Sequence, residues 1–474
     1  MPNQGWNFEN TYANLPPIFY SKQKPATVPA PQMIVFNNDL AADLGLDSDA
    51  LRLSADIFSG NILPPDSNPI AQAYAGYQFG HFAMLGDGRA VLLGEHVAPD
   101  GRKFDIQLKG AGLTPYSRGG DGLAALLPML REYIISEAMH HLGIPTTRSL
   151  AVVLTGKDVI REKVLQGAVL TRVAASHIRV GTFNFAAAYG THEDLRLLAD
   201  YTIERHFPHL TDINDKYLLL LRETSQQQAA LIAKWQLIGF VHGVMNTDNM
   251  AISGETIDYG PCAFMDFYDP GTVFSSIDIR GRYAYKNQPA IGAWNLSRLA
   301  EALLPLIEES VANQEKAIEL AKIEIADYMT SYEKHWLNGM CSKLGFVDSE
   351  TGDAALAAKL LDLMMAHKLD YTSTFRTLSN GEKVDGISAW QSQWHARLER
   401  QSISPKDAMI SMKRYNPSVI PRNHHVEEAL TAAEYGDFSV MHNLLAALQN
   451  PYEDSPVYSK PPQDNINYRT FCGT

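Results

Sequence analysis

Oxygen-bearing side chains gather between residues 242 and 260: Asp248 and Asn249 in HGVMNTDNM, then Asp258 in Ile257-Asp258-Tyr259-Gly260. An amide and a carboxylate are hard donors of the kind Mg²⁺ accepts, because that ion completes its shell with water and substrate oxygens. Mn²⁺ accepts the same donors. Asn249 and Asp258 are therefore the candidate metal ligands, with an Asx turn in a polar hairpin as the other reading. Cations stand elsewhere in the chain. Lys109 closes the run Lys103–Lys109, Glu132 follows in a helical stretch, and Arg172 and Arg179 flank Ser176-His177 in TRVAASHIRVGTFNF. A Lys–Glu pair can fix an ammonium against phosphate oxygens, and a guanidinium grips phosphate through paired bonds. Neutralised charge, a positioned metal and an oriented nucleophile are what phosphoryl or nucleotidyl transfer requires.

His242 and Asn249 keep the interval of the phosphotransfer loop H-R-D-x-x-x-x-N, in which Asp is the base. Here the base position holds Val244. Asp258, with Tyr259 and Gly260 after it, reads like the metal-binding D-F-G. Asp248 is the carboxylate inside the loop and the candidate proton acceptor; a second ligand or a loop cap is the alternative. His242 is read as a brace. In Leu85-Gly86-Asp87-Gly88-Arg89, Gly86 and Gly88 would let backbone N–H groups approach a phosphate, with Arg89 beside them. A plain hairpin turn is the other reading. Asp121-Gly122, at the entrance of a helix, reads as a nucleotide contact or as an N-cap.

The elements that must carry these groups follow from the patterning. Residues 1–35 are rich in Pro, Asn and aromatics and read as an extended arm, followed by short helices near 38–45 and 48–57. Strands are expected at 90–95 and 103–109 around the turn Pro99-Asp100-Gly101, and again at 147–155 and 168–174. A long helix is expected over 123–142, stopped by Gly143-Ile144-Pro145. Helices follow at 192–206, 214–240, 296–310, 313–338, 353–368, 386–400 and 424–448, interrupted at 244–267 by a hairpin turning at Ser253-Gly254-Glu255. The expected fold is α+β and bilobal, protein-kinase-like. Residues 1–60 form an arm, 61–185 a β-rich N-lobe, 186–450 a helical C-lobe with the catalytic hairpin at 242–270, and 451–474 an irregular tail.

Composition narrows the function. A formal charge of −13 with no long Lys/Arg run argues against nucleic acid as a partner and against an anionic membrane. The three cysteines, Cys262, Cys341 and Cys472, have no metal-ligand spacing and point to a reducing compartment. With no signal-like N-terminus and no long apolar run, the expected location is the cytoplasm.

Taken together, QLKGAGLTPYSRGGDG, LREYIISEAM, GIPTTRSLAVVLTG, TRVAASHIRVGTFNF, HGVMNTDNM, IDYGPCAF and the terminal RTFCGT resemble the selenoprotein O family. The resemblance covers most of the chain. It implies an atypical kinase fold that binds ATP flipped and transfers AMP to Ser, Thr or Tyr hydroxyls of proteins, itself included. Pyrophosphate would be the leaving group. By motif match, Lys109, Asp121, Gly122, Arg172, Arg179, Gly86, Gly88, Arg89 and Asp258 would contact ATP. Asn249 and Asp258 would hold Mg²⁺, and Asp248 and Glu132 would be the catalytic carboxylates, Glu132 as partner of Lys109. A flipped ATP would bring the nucleophile to a different place, which accounts for a base at Asp248 with Val244 in the usual position. The chain departs from the family in carrying Tyr77 where AGHQFG is common. It also has Phe274 where some relatives have a cysteine that could pair with the tail, so redox control by that pairing is not expected. A kinase-type phosphotransferase and a non-catalytic nucleotide-binding scaffold are the alternatives.

Overall fold

A computed structural model describes residues 4–462 and 468–470. The fold is α+β. Nine strands form one sheet, and every strand pair in it is antiparallel. Its main path runs Tyr20–Lys22, Ile70–Gln72, Ala90–Val97, Lys103–Lys109, Val164–Ala174, Arg148–Ile160, Gln32–Phe36. Phe8–Glu9 adds to Ala90–Val97, and Ala124–Ala125 to Val164–Ala174. Three short strands of this sheet therefore come from the N-terminal segment expected to be an extended arm; backbone pairing, not side-chain patterning, recruits them.

Strand alternation sorts the central residues. Ile106 and Leu108 join Val91, Leu93, Val169 and Val173 in a core that includes Leu40, Phe58 and Leu150. Asp105, Gln107 and Lys109 consequently point to the opposite face. Arg172 lies opposite Gln107, and Leu170 opposite Lys109, so both cations share that face. The helix Leu126–His141 packs on this side against Arg148–Ile160 and Val164–Ala174. Its Leu130, Ile134 and Ala138 are fully buried, and so is Glu132.

Fifteen α-helices occur among the described residues. Lys216–Leu237, Gln288–Val311 and Gln314–Lys343 pack together, and the helices between 353 and 412 close a second core around the stacked Trp390 and Trp394. Most expected helices are present, with His192–His206 at the expected bounds. Its start is written in the chain: Thr191 accepts from Asp194 N–H while Asp194 accepts from Thr191, a reciprocal cap. The single helix expected over 424–448 is two, Asn423–Glu434 and Ser439–Leu448. Gly436 breaks it at φ +85°, and Asp437 accepts from Ser439 N–H to start the second. Val180–Tyr189, Tyr371–Ser379 and Pro405–Met412 are helices that the patterning did not reveal.

Between 244 and 267 the expected hairpin is corrected. The regular ladder is only Phe240–Val241 with Ala263–Phe264. Asn249 ends a 3-10 turn, Thr247–Asn249, and Asp258 has φ +62°, which no strand residue adopts. The two candidate ligands thus sit on loops rather than on adjacent strands. No helix among the described residues is long and apolar enough to cross a membrane. Thr470 bridges Ser275, while Cys472 lies outside the described residues.

Candidate functional site

Three cations from separate stretches of the chain converge on one carboxylate. Lys109 Nζ lies 3.0 Å from Asp258 Oδ1 and 2.6 Å from Glu132 Oε2. Arg172 Nη2 donates to Asp258 Oδ1 at 2.6 Å and to Glu132 Oε1 at 2.5 Å. Arg179 Nη1 donates to Asp258 Oδ2 at 2.7 Å and to the Asp248 carbonyl at 2.8 Å. Sequence spacing left open whether Arg172 and Arg179 share a face. The turn at 175–178 settles it: Arg172 is on a strand and Arg179 caps the helix Val180–Tyr189, and both reach Asp258. Three cations thus surround two carboxylates, one positive charge in excess.

Burial alone would raise the Asp258 carboxyl, but Arg172, Lys109 and Arg179 together outweigh it and hold the group well below the usual range. Burial and then the Arg172 charge lower the Lys109 ammonium, against the pull of Glu132 and Asp258. Asp248 lies at the other extreme. Burial pushes its carboxyl up to about 6. Its Oδ1 is buried with no hydrogen-bond partner among the described residues. An unpartnered buried oxygen is costly unless something else uses it.

These groups face a cleft of about 490 Å³. It is lined by Gly86, Gly88, Arg89, Lys109, Asp121, Gly122, Arg172, Arg179, Asp248, Asn249 and Asp258, which brings together the residues selected from sequence. Glu132 stands behind Lys109 rather than on the wall. His242 is a brace as read: fully buried, with Nε2 2.9 Å from the Ile257 carbonyl. Two readings need adjustment. Asp121 does not cap the long helix, whose N-cap is Ala125; it pairs with Arg161 at 2.7 Å at the cleft rim. Gly86 and Gly88 are required by a close approach, but by that of residues 116–117: a Cβ on either would meet Tyr116. Thr114 and Ser117 hydroxyls bond the Asp87 and Gly88 carbonyls and hold that cover in place.

Sequence reasoning missed Asp87, Tyr74 and Asn246. Asp87 Oδ2 accepts from Gln72 N–H at 3.0 Å and Gln107 Nε2 at 3.2 Å, and burial pushes its carboxyl up to about 6. Its place between two glycines was the available signal. Tyr74 lies under the Arg179 guanidinium, 4.5 Å from ring centre to Cζ. Asn246 Oδ1 accepts from Phe79 N–H and from the Tyr283 hydroxyl. Tyr77 adds ring packing on Trp294 and Phe82.

Among the described residues no three His, Cys, Asp or Glu side chains gather to hold a metal by themselves. The donor set nevertheless fits Mg²⁺: oxygen of Asn249 and Asp258, with Asp248 Oδ1 unclaimed, and room in the cleft for water and substrate oxygens. The protein alone would hold such an ion incompletely, as suits one delivered with a nucleotide.

Comparison with known proteins agrees with this chemistry. The profile described as Protein adenylyltransferase SelO matches residues 2–449. The chain is 59% identical to the protein nucleotidyltransferase YdiU of Geobacillus kaustophilus, covering 99% of each chain. It is 58% identical to that of Halalkalibacterium halodurans, over 100% of this chain and 99% of the relative. For that of Clostridium beijerinckii the figure is 57%, over 99% and 98%. A match that spans the sheet, the cation cluster and the loop of Asp248 alike makes this chain an enzyme of the SelO family of protein adenylyltransferases.

Proposed function

We propose that the chain is a Mg²⁺-dependent protein adenylyltransferase that moves AMP from ATP to Ser, Thr or Tyr hydroxyls, its own included. The observation that carries this reading is the pairing of an over-cationic cluster with an unpartnered, buried carboxylate oxygen on Asp248. Lys109, Arg172 and Arg179 can exchange part of their contact with Asp258 for phosphate oxygens, so the nucleotide enters a site already charged for it. Glu132 keeps the Lys109 and Arg172 side chains aligned while that happens. Asn249 and Asp258 would hold the ion, which when bound supplies further charge neutralisation at the phosphates. Asp248 takes the proton of the acceptor hydroxyl. The acceptor oxygen bonds to the α-phosphorus, the bond from that phosphorus to the bridging oxygen breaks, and pyrophosphate leaves with the electron pair. A carboxyl near 6 is ionised at neutral pH and basic enough to serve.

The architecture we read as kinase-like and bilobal: residues 61–185 as a sheet-bearing lobe, 186–450 as a helical lobe with its catalytic loop in 242–270, and 1–60 and 451–474 as extensions. The test of the reaction is which phosphorus moves. The chain is incubated with Mg²⁺ and ATP labelled at either the α- or the γ-phosphorus. Protein-bound label from the α position alone, with release of pyrophosphate, is expected. Label from the γ position would make the chain a kinase-type phosphotransferase. ATP binding without either label would make it a scaffold.

A further inference from the structure

The cleft continues at its mouth into a second groove of about 710 Å³, with which it shares Phe79 and Ile277. One wall is the tip of the hairpin formed by Ala75–Gln78 and His81–Met84. The other is the segment 277–282, which is not loose. The Asp278 carboxylate accepts from Arg282 N–H at 2.9 Å and from Tyr283 N–H at 2.8 Å. The Tyr283 hydroxyl donates to Asn246 Oδ1 at 2.5 Å, and the same oxygen accepts from Phe79 N–H at 3.2 Å. Tyr77 N–H donates to Thr247 Oγ1 at 3.0 Å. Both walls are thereby fastened to the residues just before Asp248. Gly76 fits flush against the Asp248 carboxylate, where a Cβ would overlap it. A chain lying in this groove would be held in register with the candidate base.

The surface of the groove is apolar and cationic. Ile279 is 93% exposed and Ile277 55% exposed, on a segment rigidly hydrogen-bonded beneath them. Both would gain from burial against a partner, and adjoining exposed apolar side chains mark interaction surfaces. Arg280 is exposed and forms no ion pair among the described residues. Arg282 lies over the Trp294 ring at 4.8 Å, and its Nε is buried without a partner among the described residues. Asp278 is the carboxylate among the lining residues, and its oxygens face the two backbone N–H groups. The local charge is therefore positive on a chain whose total is −13.

We propose that this groove seats the acceptor: an extended protein segment with a large apolar side chain against Ile277 and Ile279 and an acidic side chain against Arg280 and Arg282, next to the hydroxyl offered to Asp248. The inference rests on the proposed transfer to protein hydroxyls and adds the sequence context those acceptors share. Rim cations contribute modestly, so the acidic context is expected to be preferred by about five- to tenfold.

The test uses the full chain and fluorescein-labelled serine peptides in three matched forms: Leu with Glu near the serine, Leu with Lys, and Gly throughout. Binding is read by anisotropy without nucleotide, and AMP incorporation is read separately with ATP and Mg²⁺. The Leu–Glu peptide is expected to bind and react best. Arg280→Glu should invert the Glu/Lys order and Ile279→Ser should weaken both Leu peptides, each with unchanged ATP affinity. Equal binding of all three peptides, or an order untouched by Arg280→Glu, would overturn the groove. Tighter binding of a single-stranded oligonucleotide than of the Leu–Glu peptide would overturn it too. Selective peptide binding without AMP incorporation would uphold the groove and overturn the transfer reading. Incorporation with no peptide preference would do the reverse.

Discussion

Two buried clusters in this molecule are built from the same materials and do different work. At Arg422 one guanidinium, 0% exposed at its side chain, holds Asp266 at 2.6 Å and Asp370 at 2.9 Å. Asp370 also caps the helix Tyr371–Ser379 by accepting from Ser373 N–H at 2.7 Å. Each member there has a local duty, and carboxylates outnumber the cation. At Asp258 the balance is inverted. Lys109, Arg172 and Arg179 outnumber Asp258 and Glu132, Asp258 has φ +62°, and the Asp258 side chain is 23% exposed toward a cleft. The difference teaches how to tell a joint from a site. A buried charge cluster that is closed off and caps local structure fastens segments together. One that is over-charged, strained and open on one side is prepared for a ligand.

Substitutions should separate the two. The largest effect belongs to Asp258→Asn, which keeps an oxygen toward the arginines but removes the charge that sets them and that would hold the ion. Transfer measured with labelled ATP should fall by about 10³-fold or more, with the fold retained by circular dichroism. Arg422→Met should do the opposite. Leaving Asp266 and Asp370 buried without their cation should cost about 3–5 kcal/mol in denaturant unfolding, while transfer per folded molecule stays near wild type. Asp248→Asn comes next, with a loss of about 10²-fold or more in turnover and little change in ATP affinity, since the proposed base would act on the acceptor. A large loss of ATP affinity instead would reassign Asp248 to nucleotide binding.

The smallest effect concerns pH. Glu255 is buried behind the turn that joins Arg172 to Arg179, accepting from Ala175 N–H at 2.9 Å, and burial pushes its carboxyl up to about 7 from an ordinary 4.5. The folded state therefore holds a proton that the unfolded state has lost between those values. Its contribution to stability is complete below pH 4.5 and is lost as pH rises through about 7. Glu255→Gln should flatten that fall, so that its stability relative to wild type is greater at pH 8 than at pH 5. Parallel pH–stability curves would remove this group from the description.

How much of this was legible depended on distance along the chain. The strand pattern put Lys109 at the end of Lys103–Lys109, and the loop motif selected Asn249, Asp248 and Asp258. Local rules of this kind travel well because they need only neighbours. What stayed hidden was set by remote contact. Nothing near Arg179 says that a turn will bring it beside Arg172, and nothing near Asp87 says that Gln72 and Gln107 will enclose it. The 3-10 turn at Thr247–Asn249 escaped for a similar reason: Asn246 and Thr247 serve the hairpin at 75–84 rather than a ladder of their own. The N-terminal strands joined the sheet through backbone pairing, which leaves little trace in side-chain pattern.

The most direct measurement is the intact mass of the purified chain after incubation with ATP and Mg²⁺, taken beside Asp258→Asn treated the same way. A gain of one or more adenylyl groups on the wild type, absent from the variant, is the expected result. An equal gain on Asp258→Asn, or a gain of phosphoryl rather than adenylyl mass, would contradict it.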